Sequence, residues 1–365
     1  MARARASRAP GGRREERLGV EGPGNPAKVR ALTDQVHAYL PPDGGWGWAN
    51  SGLVRGAEAS LLVDTSFDAR LTHAMLDALR PLTEEAPLRL AVNTHGDGDH
   101  WYGNHVLPSS VDIVATSAAA TEMRGLTPDV LANLVQAELP RPTRDYVRRA
   151  FGAFAFADTG VRLPTDTFTG RLNLDLGGTT VDLLEVGPAH TSGDLLVHVP
   201  ASDTVFTGDI LFVGVTPIMW DGPIDNWIAA LDRVLGLQPK HIVPGHGPLT
   251  DAAGVVAVRS YLEHVRRETR ERFDHGMPPE EAAADIDLGE FAHWLLPERV
   301  VVTVDRLYHE FDPDRPLTGK IAMFDAMARY DASRFRRATG TAADGSTGGS
   351  GPSGTVAVRP QDGRP

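Results

Sequence analysis

Cysteine is missing from the chain altogether. Disulfides, thiolate ligands and cysteine nucleophiles are thereby excluded, and any metal chemistry falls to His and carboxylate. Lysine is scarce: Lys28, Lys240 and Lys320 stand against 33 arginines, a ratio that points to a GC-rich bacterial genome. No apolar run approaches the roughly 18 residues of a membrane span, so no membrane partner is expected. The basic amino terminus (Arg3, Arg5, Arg8, Arg13, Arg14, Arg17) lacks the apolar core of a secretory signal, and a cytoplasmic location is the expectation. Nucleic acid is not an expected partner either. The first 30 residues carry eight Lys and Arg against three Glu, a local +5 that leaves −17 on the body of a chain whose net charge is −12. An acidic body without a basic stripe repels phosphates.

What is present is the composition of a globular protein, 41% hydrophobic and 23% charged over 365 residues, enough for one large domain or two small ones. Residues 1–28 (Arg, Gly, Pro and Ala rich) read as a disordered leader or as residues upstream of the true start, and 337–365 (Gly, Ser, Thr and Pro rich) as a disordered tail. Between them no low-complexity linker divides the chain.

The first half predicts strands at Val36–Leu40, Gly52–Arg55 and Ser60–Val63, the first two separated by the turn-rich Pro41-Pro42-Asp43-Gly44-Gly45. A helix is predicted over Asp68–Leu79, then strands at Leu88–Asn93 and Val111–Ala115. Residues 118–158 read as a helical insertion, either covering a site or packing as a plain helix pair. Strands follow at Phe168–Leu174, Thr180–Glu185, Asp194–Val199, Thr204–Thr207 and His241–Val243, with an amphipathic helix around Trp227, Ile228, Leu231, Val234 and Leu235. Val255–Phe273, Pro279–Ile286 and Arg299–Phe311 form a helical carboxy-terminal extension. The fold class is α/β: a sandwich of two sheets covered by helices, spanning 29–250, with the extension over 251–336 packed on the same domain.

The chemistry is concentrated in Thr94-His95-Gly96-Asp97-Gly98-Asp99-His100. Four metal ligands fall within six residues directly after a buried strand, and glycines between them let the loop turn tightly. In such a loop 95 and 97 face one metal while 99 and 100 turn toward a second. Three further ligand types sit in Gly-flanked loops after apolar strands: His190 in Gly187-Pro188-Ala189-His190-Thr191-Ser192-Gly193-Asp194, Asp209 in Thr207-Gly208-Asp209, and His246 in Pro244-Gly245-His246-Gly247. The other nine histidines lack such a context.

In order and context these motifs resemble those of the metallo-β-lactamase superfamily, over roughly residues 35–250. The resemblance implies an αββα sandwich of two mixed sheets. It implies that His95, Asp97 and His190 bind a first metal, that Asp99, His100 and His246 bind a second, and that Asp209 bridges. A metal-bridging hydroxide then attacks an electrophilic carbonyl, with Asp99 carrying the proton to the leaving group. Asp97 departs from the pattern, which usually has His there. It is either a ligand or a non-ligating loop residue. As a ligand it makes the site more acidic, which favours oxygen-loving metals. Two divalent ions are implied, zinc first, with iron (as in flavodiiron relatives with an acidic residue there) or manganese as the alternative.

Aromatic residues near these motifs, Trp46, Trp48, Trp101, Tyr102 and Trp220, are candidates for an apolar substrate pocket, with core packing as the alternative for each. Tyr102 is also a candidate hydrogen-bond donor to an oxyanion. The leading functional reading is a dinuclear metallohydrolase cleaving an ester-like bond (thioester, lactone or ester) of a small molecule, in a possible homodimer. The rivals are a di-iron oxygenase on the same fold, a polyketide thioesterase-cyclase, and a non-enzymatic metal-binding protein.

Overall fold

A computed structural model describes residues 27–42 and 45–339, with side chains to Arg334. The predicted leader and tail lie almost wholly outside the described residues, as do Asp43 and Gly44 of the first turn. Strand alternation decides the architecture. In β2 (Val36–Leu40), β3 (Ser51–Arg55) and β4 (Ser60–Val63), residues Val36, Ala38, Val54, Leu61 and Val63 point one way, while Leu53 and Leu62 point the other. These strands are antiparallel neighbours, with β1 (Lys28–Ala31) added at the edge. β5 (Leu88–Val92), β6 (Asp112–Thr116) and β7 (Asp166–Phe168) then extend the sheet in parallel, making seven strands. The second sheet has five. β8 (Arg171–Asp175), β9 (Thr180–Glu185), β10 (Leu195–Val199) and β11 (Thr204–Phe206) are antiparallel, and β12 (His241–Val243) joins β11 in parallel.

Leu183, Leu195, Val197, Val199 and Phe206 meet the inward residues of the first sheet in one buried cluster. Each such side chain contributes about 1.5–3 kcal/mol. Leu184, Leu196, Val205 and Ile242, the alternate residues, face outward into helices. α1 (Ala69–Thr83) starts where the Asp68 carboxylate accepts the Leu71 N–H at 2.7 Å, and lays Met75 and Leu79 on Leu53, Leu62, Ala91 and Ile113 of the first sheet. On the opposite flank α5 (Ile224–Gly236) buries Trp227 and Leu231 beside the second sheet, and α6 (Ala252–Asp274), with Val258 and Leu262 buried, packs on α5. The result is the four-layer sandwich of two mixed sheets that the sequence predicts.

The run Phe168–Leu174, which reads as one strand, is two. Gly170 at φ +74° turns the chain, and β7 and β8 enter different sheets. Lys28, at the leader's end, already lies in β1, and the final helix runs past residue 336 to Thr339.

The insertion folds as α2 (Ser117–Glu122), α3 (Pro128–Gln136) and α4 (Arg141–Phe151), and the extension adds α7 (Pro279–Asp285), α8 (Val300–Phe311) and α9 (Lys320–Thr339). α9 is not visible in the apolar pattern of the sequence. It packs along α4, with Arg149–Asp331 and Thr143–Asp325 contacts at the seam. Insertion and extension therefore form one cap.

Candidate metal centre

All seven predicted ligands converge at one rim of the sandwich. His95 and His100 leave β5 with ring centroids 4.2 Å apart. His190 comes from the β9–β10 loop, Asp209 from the turn after β11, and His246 from the loop after β12. Gly245 makes the last approach possible, because a Cβ there would lie 1.9 Å from Asp209 Oδ1.

One ligand atom each from His95, His190 and Asp209 falls within 4.8 Å of the others, and the same holds for Asp99, His100 and His246. Asp209 belongs to the first triad and also reaches the second, whereas Asp97 is in neither and approaches the first through His190. Asp209 Oδ2 is 3.3 Å from His246 Nε2, 3.6 Å from His190 Nε2 and 3.9 Å from His95 Nε2, while Oδ1 is 3.1 Å from His100 Nε2. Ligands about 2.0–2.1 Å from a tetrahedral ion sit about 3.3 Å from each other, so these separations are those of atoms around a shared cation. Asp99 Oδ2 to His246 Nε2 (3.3 Å) and Asp97 Oδ2 to His190 Nε2 (3.2 Å) fit the same spacing. His95 Nε2, His100 Nε2 and Asp209 Oδ1 are buried without a hydrogen-bond partner; with His100 Nδ1–H given to Asp64, the neutral ring's Nε2 meets Asp209 Oδ1 at 3.1 Å as one acceptor facing another. Unpaired buried polar atoms aimed at one point are what a divalent ion would satisfy. The residues present fit two such ions.

A second layer fixes the imidazoles. Asp64, at φ +61° just past β4, accepts Thr94 N–H at 2.7 Å, Thr94 O–H at 2.8 Å and His100 Nδ1–H at 2.8 Å. With its proton on Asp64, Thr94 Oγ1 is left to accept His95 Nδ1–H at 3.0 Å. His190 Nδ1–H donates to the Ile218 carbonyl at 2.7 Å. Each of these rings thus presents Nε2 to the centre. His246 is stacked on Phe212 at 5.3 Å, and Asn50 holds its loop by bonds to the Pro244 and Gly247 carbonyls. Asp194 accepts both Thr191 N–H and O–H beside His190, and burial pushes its carboxyl up to about 7. Burial also raises Asp64, against the pull of His100. His95 is held down to about 3 by burial and by its neighbour His100. Burial acts the same way on His190, but the Asp97 hydrogen bond and the Asp209 charge outweigh it and lift the ring to about 9. Asp64 and Asn50 are not among the residues the motifs single out. The one available signal for Asp64 is an acidic residue closing the fully buried strand Ser60–Val63.

Asp97 differs from the other six. Its Oδ1 accepts from Lys320 Nζ at 3.2 Å, and that ammonium also donates to Glu122 Oε1 at 2.9 Å. Burial would raise the Asp97 carboxyl, yet the Lys320 charge and the His190 contact hold it well below the usual carboxylate range. The first pocket is therefore less acidic than its ligands alone imply, because a cation 223 residues away in sequence shares Asp97.

Beside the ligands Asp97 and Asp99 opens an apolar hollow walled by Trp46, Phe67, Leu131, Phe151, Trp220 and Phe324. Both insertion and extension contribute, so the insertion covers the site. A roomier recess between α7 and α9, walled by Ile286, Leu288 and Arg334, contains none of the ligands. Trp46 and Trp220 stand where a pocket role places them; Trp101, Tyr102 and Trp48 do not. Trp101 and Tyr102 are fully buried beneath the ligand loop, bonded to the Gly96 and Leu126 carbonyls. The Tyr102 ring occupies the space a Gly98 side chain would take, and its hydroxyl proton goes to the Leu126 carbonyl, which leaves none for an oxyanion. Trp48 packs on Phe154 (5.3 Å) in a separate recess. Trp46 is braced from behind by residues the sequence does not flag: its indole N–H donates to Tyr146, Tyr146 donates to Glu298, and the Arg299 guanidinium lies 4.0 Å from its ring.

Comparison with known proteins accords with this geometry. The sequence profile of the metallo-beta-lactamase superfamily matches residues 44–246. A 2,4-dinitroanisole O-demethylase subunit alpha from Nocardioides sp. is 26% identical over 53% of this chain and 51% of its own length. An acyl-coenzyme A thioesterase from Homo sapiens is 28% identical over 54% of this chain and 72% of its own. Against the first of these relatives the chain spans about half the partner's length. Among solved structures, the sec-alkylsulfatase Pisa1 from Pseudomonas sp. superposes with a TM-score of 0.61 at 15% identity, over 88% of this chain and 60% of that one. That likeness in fold reaches beyond the sandwich into the helical extension. No described helix is long and apolar enough to cross a membrane.

Proposed function

The chain belongs to the metallo-β-lactamase superfamily, and from that premise we propose that it is a dinuclear metal-dependent hydrolase cleaving an ester-like bond, a thioester, lactone or ester, in a small and largely apolar molecule. The carrying observation is that two groups of candidate ligands meet at Asp209, while Asp97 and Asp99 of the same cluster line an aromatic hollow. His95, Asp97 and His190 would hold the first ion, and Asp99, His100 and His246 the second, zinc before iron or manganese. When bound, the ions supply Lewis acidity, polarising the substrate's electrophilic centre and acidifying water near neutral pH.

The chain's own residues do the rest. Trp46, Phe151 and Phe324 exclude water and take the apolar part of the substrate, leaving its reacting bond against the ligands. Asp99 lines that hollow and lies 3.3 Å from His246 Nε2. In this reading Asp99 takes a proton from the attacking water and passes it to the leaving group. The relative that is a thioesterase supports the choice of thioesters within this class.

The test is chelator-stripped protein reloaded with Zn2+, Fe2+ or Mn2+ and screened on acyl thioesters, aryl esters and lactones. Turnover that appears with metal and is lost in Asp99→Asn supports the reading. Turnover that survives exhaustive stripping, or its absence with every metal and substrate class, sinks it.

A further inference from the structure

Lys320 opens α9, well beyond residues 44–246 that match the family. Its side chain is three-quarters buried, and the ammonium lies between two carboxylates, Asp97 Oδ1 at 3.2 Å and Glu122 Oε1 at 2.9 Å, with the Trp220 ring 5.3 Å away. Glu122 is in turn tied to the His190 loop, its Oε2 accepting Ser192 O–H at 3.0 Å. The other Asp97 oxygen, Oδ2, is 3.2 Å from His190 Nε2, at ligand spacing. Asp97 is thus divided: one oxygen toward the first triad, one held by a cation. An ammonium already taken by two carboxylates is not a free anchor for a substrate anion.

We propose that Lys320 is a positioning residue that sets the affinity and metal preference of the first site. Two physical effects act in the same direction. The ammonium's charge opposes a dication a few ångströms away across a low-dielectric site. Its hold on Oδ1 also keeps Asp97 a one-oxygen donor, as a histidine is a one-nitrogen donor. A second free oxygen would add a hard donor and favour ions with higher oxygen coordination, such as Mn2+, over tetrahedral Zn2+. Lys320 therefore weakens the first site for every dication, and for Mn2+ most. Glu122 moderates the effect by sharing the ammonium.

The inference rests on the metal-centre reading, and chelator competition separates the two. Zn2+ and Mn2+ constants for both sites are measured on the full chain, with circular dichroism and Tm as folding controls. Lys320→Met tightens the site that Asp97→Asn perturbs, by about tenfold for Mn2+ and less for Zn2+. Lys320→Arg stays near wild type. The Lys320→Met effect disappears in an Asp97→Asn background. Glu122→Gln, which leaves Asp97 as the ammonium's carboxylate, has the opposite sign and weakens Mn2+, so the proposal stays testable if Lys320→Met fails to fold. Failure of any dication to bind would overturn the metal centre itself. Two filled sites whose constants and Zn2+/Mn2+ ratio ignore Lys320→Met, or shift equally without Asp97, would overturn this inference alone.

Discussion

Asp64 and His95 do not touch, yet one orients the other: Thr94 Oγ1 gives its proton to Asp64 Oδ2 at 2.8 Å and accepts His95 Nδ1–H at 3.0 Å. The same carboxylate oxygen accepts His100 Nδ1–H at 2.8 Å. One buried acid thus fixes the tautomer of a ligand in each triad.

Asp64→Ala is therefore expected to weaken both metal sites together, each by about 10–100-fold, as removal of an outer-shell partner typically does. Chelator competition reads both constants. Loss confined to one site would show that Thr94 does not transmit the orientation.

The histidines also predict a proton count. His95, held down to about 3, is neutral at pH 7.5, whereas His190, lifted to about 9, carries a proton that a metal must displace. His246 is raised as well, the Asp209 charge overcoming burial. Metal binding at pH 7.5 should release at least one proton, and affinity should climb with pH toward about 9. Calorimetry in buffers of different ionisation enthalpy measures the release, and a value of zero would contradict these shifts. Without metal the sign reverses for stability. A raised His190 stabilises the fold fully below its unfolded value of about 6.5, and that contribution is lost as pH rises through about 9.

The candidate ligands were legible because each lies in a Gly-flanked loop ending an apolar strand, so local pattern carries them. The sandwich was legible for a similar reason: Leu61, Leu62 and Val63 are all buried, and the predicted strand stands whichever sheet face each residue takes. What pattern cannot show is a partner fixed only by tertiary packing. Lys320 reaches Asp97 because α9 docks on α4, and nothing near residue 97 announces it. Trp101 and Tyr102 mislead for the converse reason: adjacency to a ligand loop says nothing of which side of that loop a side chain takes.

Gly245 offers a sharper test of the bridge. In Gly245→Ala the new Cβ would fall 1.9 Å from Asp209 Oδ1 and 2.8 Å from the Gly208 carbonyl oxygen, so the Asp209 carboxylate and the turn that carries it must move. Metal content should drop below two ions per chain while the fold persists. Gly236→Ala, whose added Cβ meets nothing within 4 Å, should retain full metal content and serves as the control. Equal metal content in both variants would remove Asp209 from its proposed bridging role.

Phe324 tests whether the cap sets substrate size. Its ring meets Phe151 at 5.3 Å, Trp46 at 5.9 Å and Trp220 at 6.2 Å, closing the hollow over Asp97 and Asp99. The space left free is about 40 Å3, room for a few waters at the roughly 10–15 Å3 of probe volume that each requires. An acyl chain must therefore displace these rings or the helix that carries them. Phe324→Ala should cost about 3–5 kcal/mol of stability, read from urea unfolding. It should also lower KM for longer acyl groups more than for acetyl, because the space it frees is already lined by Trp46 and Trp220. A uniform fall in kcat for all chain lengths, with KM unchanged, would instead make Phe324 a structural residue and place the acyl group elsewhere.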